Sequence, residues 1–343
     1  MRFMLNVLLP VAICLAVISC SKTRVFPEKT TILKNVYASD ILEGKDINYS
    51  PSWLTNAMEW KDRYIFVDRK NKMIIFTDKN MKLIDTVGTK KVQFMFKGDI
   101  SSAELYKDAL YILDRSYKIK KYSLKSGDFV NCCKYSIALS NISVINDSSY
   151  ICGYASIRKR HNYQVDGDLN KKGIDAFLLG YIVQNNKAKD IYIDCNKMDY
   201  DQFVDDACYV KHHNGNIYLT FNKSRKIIQC DMEGKINKIV DALVDKNWER
   251  PKWIARNGQK VYQFRDIFNG PIECRENKFY QTIYDKSNKN NYIIEYSANL
   301  EPVRTYITNL PTGSHYQLSA MSDNTFVIYS ILDPNIYKFI YDE

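Results

Sequence analysis

The stretch "VDGDLNKKGID" sets Asp166, Asp168, Asn170 and Asp175 at spacings that could converge on a hard cation. Alternate oxygen-bearing side chains in a tight loop are how D-x-[DN]-x-[DN] calcium loops work. Here Lys171 stands where that pattern wants glycine, Phe177 stands where its bidentate glutamate belongs, and the pair Lys171-Lys172 opposes a cation. The stretch reads first as a solvated hairpin tip and only weakly as a calcium site; no other cofactor is expected. His212-His213, in "VKHHNGN", would point to opposite faces of a strand, so both could hardly hold one ion and they read as a turn entry. His161, in "RKRHN", and His315, in "TGSHYQ", read as exposed loop positions. No nucleophile elbow, zinc-protease helix or glycine-rich phosphate loop occurs. "YDQFVDDA" and "FRDIFNGPIEC" set carboxylates beside aromatics, as surface loops routinely do, so no catalytic residue is assigned.

Cysteine chemistry begins at the N-terminus. Residues 1–19 carry Arg2, then an apolar run from Phe3 to Ile18 broken by Asn6 and Pro10. A bilayer span wants about 20 apolar residues; a basic start, an apolar middle and a small residue before a cut make a secretory signal instead. Val17-Ile18-Ser19-Cys20 resembles the bacterial lipobox, in which cleavage between Ser19 and Cys20 leaves the cysteine acylated. Each buried CH₂ is worth about 0.8 kcal/mol, so several acyl chains hold stably where one would not. The expected organisation is a signal peptide at 1–19, a tether at 20–29 and one domain at 30–343. The alternatives are a plain cleaved signal and a retained helix. No later apolar stretch is long enough to span a bilayer. Of nine cysteines, Cys14 leaves with the signal and Cys20 takes lipid, so seven remain, and an odd number cannot all pair within one chain. Most sit in apolar strand-like runs such as "YICGYA" and read as buried thiols acting as small hydrophobes; one or two bridges are the alternative.

Composition bounds what positions these residues. With 45% hydrophobic and 26% charged residues the 343-residue chain is ordinary for a globular protein, and 26 Tyr beside 15 Phe lean toward sheet. The net charge of +10 could suit nucleic acid, but the export signal excludes that partner and leaves a solvated surface or attraction to anionic envelope components.

Four stretches read alike: "DRYIFVDRKNKMIIFTDKNMKLIDTV" (62–87), and the segments 107–133, 214–240 and 276–306. Two weaker copies also fit: "NDSSYICGYAS" with "KGIDAFLLGYIVQNNKAKDIYI", split by an insert, and the closing "SDNTFVIYSILDPNIYKFIYDE". The aromatic strands near Tyr64 and Val327 lie 263 residues apart, or about 53 per step over five steps. Repeats at such a period mark propellers or solenoids. Strand–turn–strand units without amphipathic helices favour an all-β, six-bladed β-propeller of four-stranded antiparallel blades, with "TTILKNVYA" (30–38) expected to pair with the last blade and close the ring. "CNKMDYDQFVDDACYV" and "VDALVDKNWERPKW" have partial helical spacing and are expected to give short rim helices; "ASIRKRHNYQVDGDLNKKGIDAF" reads as a polar loop.

On these blade patterns and the lipobox, most of residues 30–343 resembles the six-bladed β-propeller lipoproteins of Bacteroidetes-type bacteria, related in shape to NHL and TolB-like propellers. "VGTKKVQFMFKGD" departs from that family's glycine- and proline-rich segment after the first blade, keeping only Gly88 and Gly98. The resemblance implies a lipid-anchored envelope protein, held in the bilayer through Cys20. The leading functional expectation, drawn from the concave top face and channel mouth of such a ring and the aromatic side chains expected there, is a non-enzymatic binding platform for a protein or carbohydrate ligand. The alternatives are a lactonase-like hydrolase or lyase using a cation in the channel, and a sensor or accessory subunit of a nutrient uptake or signalling system. The basic "SKTR" after Cys20 favours an outer-membrane protein facing the periplasm.

Overall fold

The computed structural model describes residues 30–32, 35–39 and 54–341, apart from 70–71, 88–99, 115–117, 136–137, 161–175, 186, 199–205, 243–251, 264–266, 286–289, 309, 312–315 and 331–335. After the N-terminal strands β1 (Thr30–Ile32) and β2 (Asn35–Ser39), the strands fall into successive antiparallel sheets. Blade I is β3 (Met58–Trp60), β4 (Arg63–Asp68), β5 (Met73–Asp78) and β6 (Leu83–Val87). Blade II is β7 (Ile100–Tyr106), β8 (Ala109–Asp114), β9 (Lys118–Ser123) and β10 (Phe129–Lys134). Blade III comprises β11 (Leu139–Asn146), β12 (Ser149–Arg160), β13 (Ala176–Gln184) and β14 (Lys187–Asp194). Blade IV holds β15 (Cys208–His213), β16 (Asn216–Phe221), β17 (Lys226–Cys230) and β18 (Ile236–Asp241). A separate hairpin, β19 (Lys252–Arg256) with β20 (Gln259–Gln263), precedes blade V. Blade V is β21 (Ile267–Arg275), β22 (Lys278–Asp285), β23 (Asn290–Tyr296) and β24 (Pro302–Ile307). Blade VI contains β25 (Tyr316–Ala320), β26 (Thr325–Ser330) and β27 (Ile336–Ile340). The protein is thus a six-bladed β-propeller.

The pattern of burial explains why these sequences make blades. Second strands are buried along nearly their whole length: β8 and β26 have no exposed position, and β4 and β16 only a half-buried first residue. A strand covered on both faces reads as a continuous apolar run, which is why "YIFV", "LYIL" and "FVIY" stand out in the sequence. Outer strands such as β6 and β18 are half-buried or exposed along most of their length because they form the outer edge of their blades.

No single core exists. Six apolar clusters each sit at one seam between neighbouring blades. On β4, Tyr64 and Phe66 join the cluster shared with blade VI, whereas Ile65 and Val67 join the one shared with blade II. The side-chain period of two thus sends alternate residues to opposite seams. Seams also carry polar ties. Trp60 Nε1 donates to Asp108 at 3.0 Å between blades I and II, Gln184 to Met232 O at 2.9 Å between III and IV, and Arg275 to Tyr341 OH at 2.8 Å between V and VI. At the closing seam Glu59 accepts the Ser322 backbone N–H at 2.8 Å and also meets Lys79, while Tyr64 donates to Asp323 at 3.2 Å.

The N-terminal strand closes the ring with one refinement on expectation. Residues 35–39 form the fourth strand of blade VI, antiparallel to β27, while residues 30–32 add a parallel fifth strand to β24 of blade V. Of the two connectors expected to carry rim helices, the described parts hold a 3₁₀ turn at Cys195–Lys197 in the first and, in the second, "KW", which begins the β19–β20 hairpin. The Asn257-Gly258 turn there, with φ of 52° and 76°, is a tight-hairpin signal. Residues 199–205 and 243–251 lie outside the described set. Cys152, Cys208 and Cys230 are fully buried, as small hydrophobes would be. Among the described residues no helix is long and apolar enough to cross a membrane.

One glycine is set by packing. Gly153 faces Gly180 across the β12–β13 pair, and a Cβ on it would lie 1.9 Å from the Cys208 carbonyl oxygen on the inner strand of blade IV. Gly153→Ala should therefore cost about 3 kcal/mol in chemical denaturation. Gly215→Ala, at a φ of +72° with nothing within 4 Å, should cost only about 1 kcal/mol of backbone strain.

Candidate functional site

The first strands of blades II to VI, and the residues just before that of blade I, border the ring's central channel, where a cavity of about 220 Å³ opens. Its lining draws on residues 54–56 beside β3, and on β7, β11, β15, β21 and β25. Three charged side chains meet there. Lys211 Nζ, on β15 of blade IV, lies 3.3 Å from Glu104 Oε1 on β7 of blade II and 3.1 Å from Glu273 Oε2 on β21 of blade V. Blades II and IV are not neighbours, so the cluster braces the channel from side to side.

The three residues share one address in the repeat. Glu104, Lys211 and Glu273 pair in register with Tyr111, Tyr218 and Tyr280, the aromatic positions of the following strands. Each lies three residues before a left-handed turn residue: Lys107 (φ 54°), Asn214 (φ 47°) and Glu276 (φ 50°). The corresponding position in blade I is Met58. The hairpin geometry that builds each blade therefore delivers these side chains to the same height in the channel.

Their side chains are only 19%, 16% and 14% exposed for Lys211, Glu104 and Glu273. Burial by itself would lower the Lys211 pKa, but Glu104 and Glu273 reverse that and hold it above the ordinary lysine range. Burial pushes the Glu273 carboxyl up, and Lys211 offsets part of that rise. Arg69, beside the cavity, is fixed by its Nε donating to Ile100 O at 2.8 Å. Tyr329 donates to Gln317 Oε1 at 2.5 Å. Blade III is tied to β15 by side chains standing in for a ladder: Asn141 donates to Val210 O at 2.8 Å and accepts from Val210 N at 2.9 Å, and Ser143 Oγ accepts from His212 N at 3.0 Å.

Just before β15, Asp206 is buried and accepts backbone N–H groups from Ala207 at 2.8 Å, Asn222 at 3.2 Å and Lys223 at 3.1 Å. Burial pushes its carboxyl up to about 7 against those three donors. It locks the β16–β17 turn to the inner strand that carries Lys211.

The residues singled out by sequence fare unevenly. Ser19, Cys20, His161, Asp166, Asp168, Asn170, Asp175 and His315 lie outside the described residues. His212 and His213 end β15 at the turn; the His213 ring packs edge-on against Phe279 at 5.7 Å and reaches Glu276 O at 2.5 Å. Of the two carboxylate-bearing stretches, "FRDIFNGPIEC" contributes Glu273 to the channel and "YDQFVDDA" contributes the buried Asp206. Glu104, Lys211 and Arg69 were missed. The signal that finds two of them is a charge at one repeat position in "SSAELY" and "YVKHH". Among the described residues, no three His, Cys, Asp or Glu side chains gather to hold a metal ion.

No protein-family model and no curated protein matches the sequence. Solved structures share the fold. An auxiliary nutrient binding protein from Bacteroides thetaiotaomicron VPI-5482 is 9% identical, covering 86% of this chain and 70% of its own, with a TM-score of 0.53. The β-propeller domain of Cps50 (Swd1) from Myceliophteria thermophila is 9% identical over 85% of this chain and 100% of its own, with a TM-score of 0.45.

Two measurements test the site. Lys211→Met leaves Glu104 and Glu273 facing each other and should cost about 3–5 kcal/mol in urea unfolding, whereas adding Glu104→Gln and Glu273→Gln to it should recover most of that. Asp206 sets a pH dependence. Unfolded, it titrates near 3.8; folded, near 7. Between those values the folded chain holds a proton that the unfolded chain lacks, so stability falls as pH rises through the window. Relative to Asp206→Asn, the wild type should lose stability as pH rises from about 4 to about 7, read as a falling urea midpoint, and level off above that.

Proposed function

We propose that this protein is a lipid-anchored propeller of the bacterial cell envelope that binds a ligand at its channel mouth without transforming it. The observation that carries the reading is the state of the channel carboxylates: Glu104 and Glu273 both face Lys211 Nζ. A protein ammonium thus stands between the two acids that a channel-bound cation would need. What remains is a small polar recess in a rigid ring, which is the anatomy of a recognition site.

Two further features fit. The Val17-Ile18-Ser19-Cys20 lipobox and the basic "SKTR" after it support anchoring in the outer membrane facing the periplasm. A propeller of the same fold is described as an auxiliary nutrient binding protein, which favours an accessory role in uptake as the particular form of the binding function.

The test is retention of a partner from the native envelope. The lipidated protein, pulled down from its own membranes, should recover one specific protein or glycan, and that recovery should fall when Cys20→Ala releases the chain from the bilayer. The Cys20→Ala chain should also lose incorporation of labelled palmitate. Wild-type chain that takes up no palmitate and keeps its leader by mass spectrometry would overturn the anchoring, and an empty recovery would overturn the binding role.

A further inference from the structure

The channel recess has hydrogen-bonding capacity that its bracing role does not use. An ammonium carries three N–H bonds, and those of Lys211 face two carboxylates, leaving a third for the cavity. Glu104 contacts Lys211 through Oε1, which leaves Oε2 as an acceptor. Gln317 accepts from Tyr329 through Oε1, so the Nε2 donors of this cavity-lining side chain remain. Donors and acceptors therefore alternate around one recess.

Charge and size narrow what would fill it. Arg69 and Lys211 balance Glu104 and Glu273 around the cavity. A small anion would meet two carboxylates, and a small cation would meet an ammonium and a guanidinium; either would lose its hydration for mixed contacts. A neutral polyol avoids both costs, because each hydroxyl offers one donor and two acceptor lone pairs. Leu139, Ile142 and Leu318 supply apolar wall for its C–H faces. At about 220 Å³ the recess lies below the ~300–1,000 Å³ of drug-sized pockets. A recess of that size suits a ligand smaller than a drug, on the scale of one sugar ring.

We propose that the recess binds a single neutral sugar unit, held by Lys211, Glu104 and Gln317, either free or as the end of a longer glycan. This rests on the binding-platform reading and supplies its ligand class.

Saturation-transfer NMR on the full lipidated chain, in a detergent without a sugar headgroup, tests it. The probes are glucose, galactose, mannose and N-acetylglucosamine, their short oligomers, and acetate and putrescine as charged controls, up to about 10 mM so that a millimolar Kd still saturates. At least one neutral sugar should give a saturable signal. Gln317→Met should weaken it about five- to tenfold while thermal unfolding keeps its midpoint within a few degrees; Glu104→Gln should weaken it by as much and, by opening the brace, lower the midpoint as well. Binding by the oligomer alone assigns a glycan end, and binding by the monosaccharide assigns a free sugar. Saturation by acetate or putrescine instead, or sugar binding unmoved by both variants, overturns the proposal. If no probe binds while the envelope pull-down still recovers a partner, the sugar site falls and the platform stands; if both are empty, both fall.

Discussion

The arrangement of the inner strands depends on an ammonium held between two carboxylates. Lys211, Glu104 and Glu273 come from blades IV, II and V, so their attraction acts across the channel rather than along a seam. Such a cluster adds little net stability, because the desolvation of three ions consumes most of the Coulombic gain. Its effect is on which arrangement is allowed. Any slip of one inner strand by a residue would turn its charged side chain away and leave the other two uncompensated. The same residues therefore specify the ring's register and define its recess.

Around that brace the structure is a set of pairwise contacts that only a closed ring can complete. Each of the six apolar clusters needs two blades, so an open chain of blades would expose two half-cores and two strand edges. Closure falls to the N-terminal segment, whose residues 35–39 complete blade VI while residues 30–32 extend blade V. Covering two adjacent outer edges with one short segment couples the start of the chain to its end. The polar contacts of Glu59 and Tyr64 with Ser322 and Asp323 reinforce the same seam from the inside.

The sequence made the blades legible and the site obscure, for one physical reason. Second and third strands, as in "YIFVDRKNKMIIFTD", are covered on both faces and read as strong apolar runs, so the four full repeats and two weaker ones correspond to the six blades. The first strands border the channel, and there polar residues replace apolar ones. "YVKHH" and "SSAELY" consequently carry a weak strand signal. "CNKMDYDQFVDDACYV" was read as helical, yet its last residues begin β15. Residues that meet at one channel height from blades II, IV and V are more than 50 positions apart in the chain, beyond any local pattern. Alignment of the repeats by their left-handed turns would have shown the shared address.

The chemistry of the brace also bears on what the channel can do. A general base must exchange protons near the working pH, and Lys211, held above its ordinary range by its two partners, keeps its proton throughout. It is thus a fixed donor. Glu273, raised by burial, has its charge stabilised chiefly by that same ammonium, so neither group can change protonation without weakening the contact that positions both. A site whose titratable groups are tied to one another in this way is suited to presenting a constant pattern of donors and acceptors. The chain's net charge of +10 belongs to the rest of the molecule, since Arg69 and Lys211 are matched by Glu104 and Glu273 at the recess. In the proposed binding role, selection at the channel would rest on hydrogen-bond geometry and fit, and the chain's net positive charge would act only on how a ligand is approached.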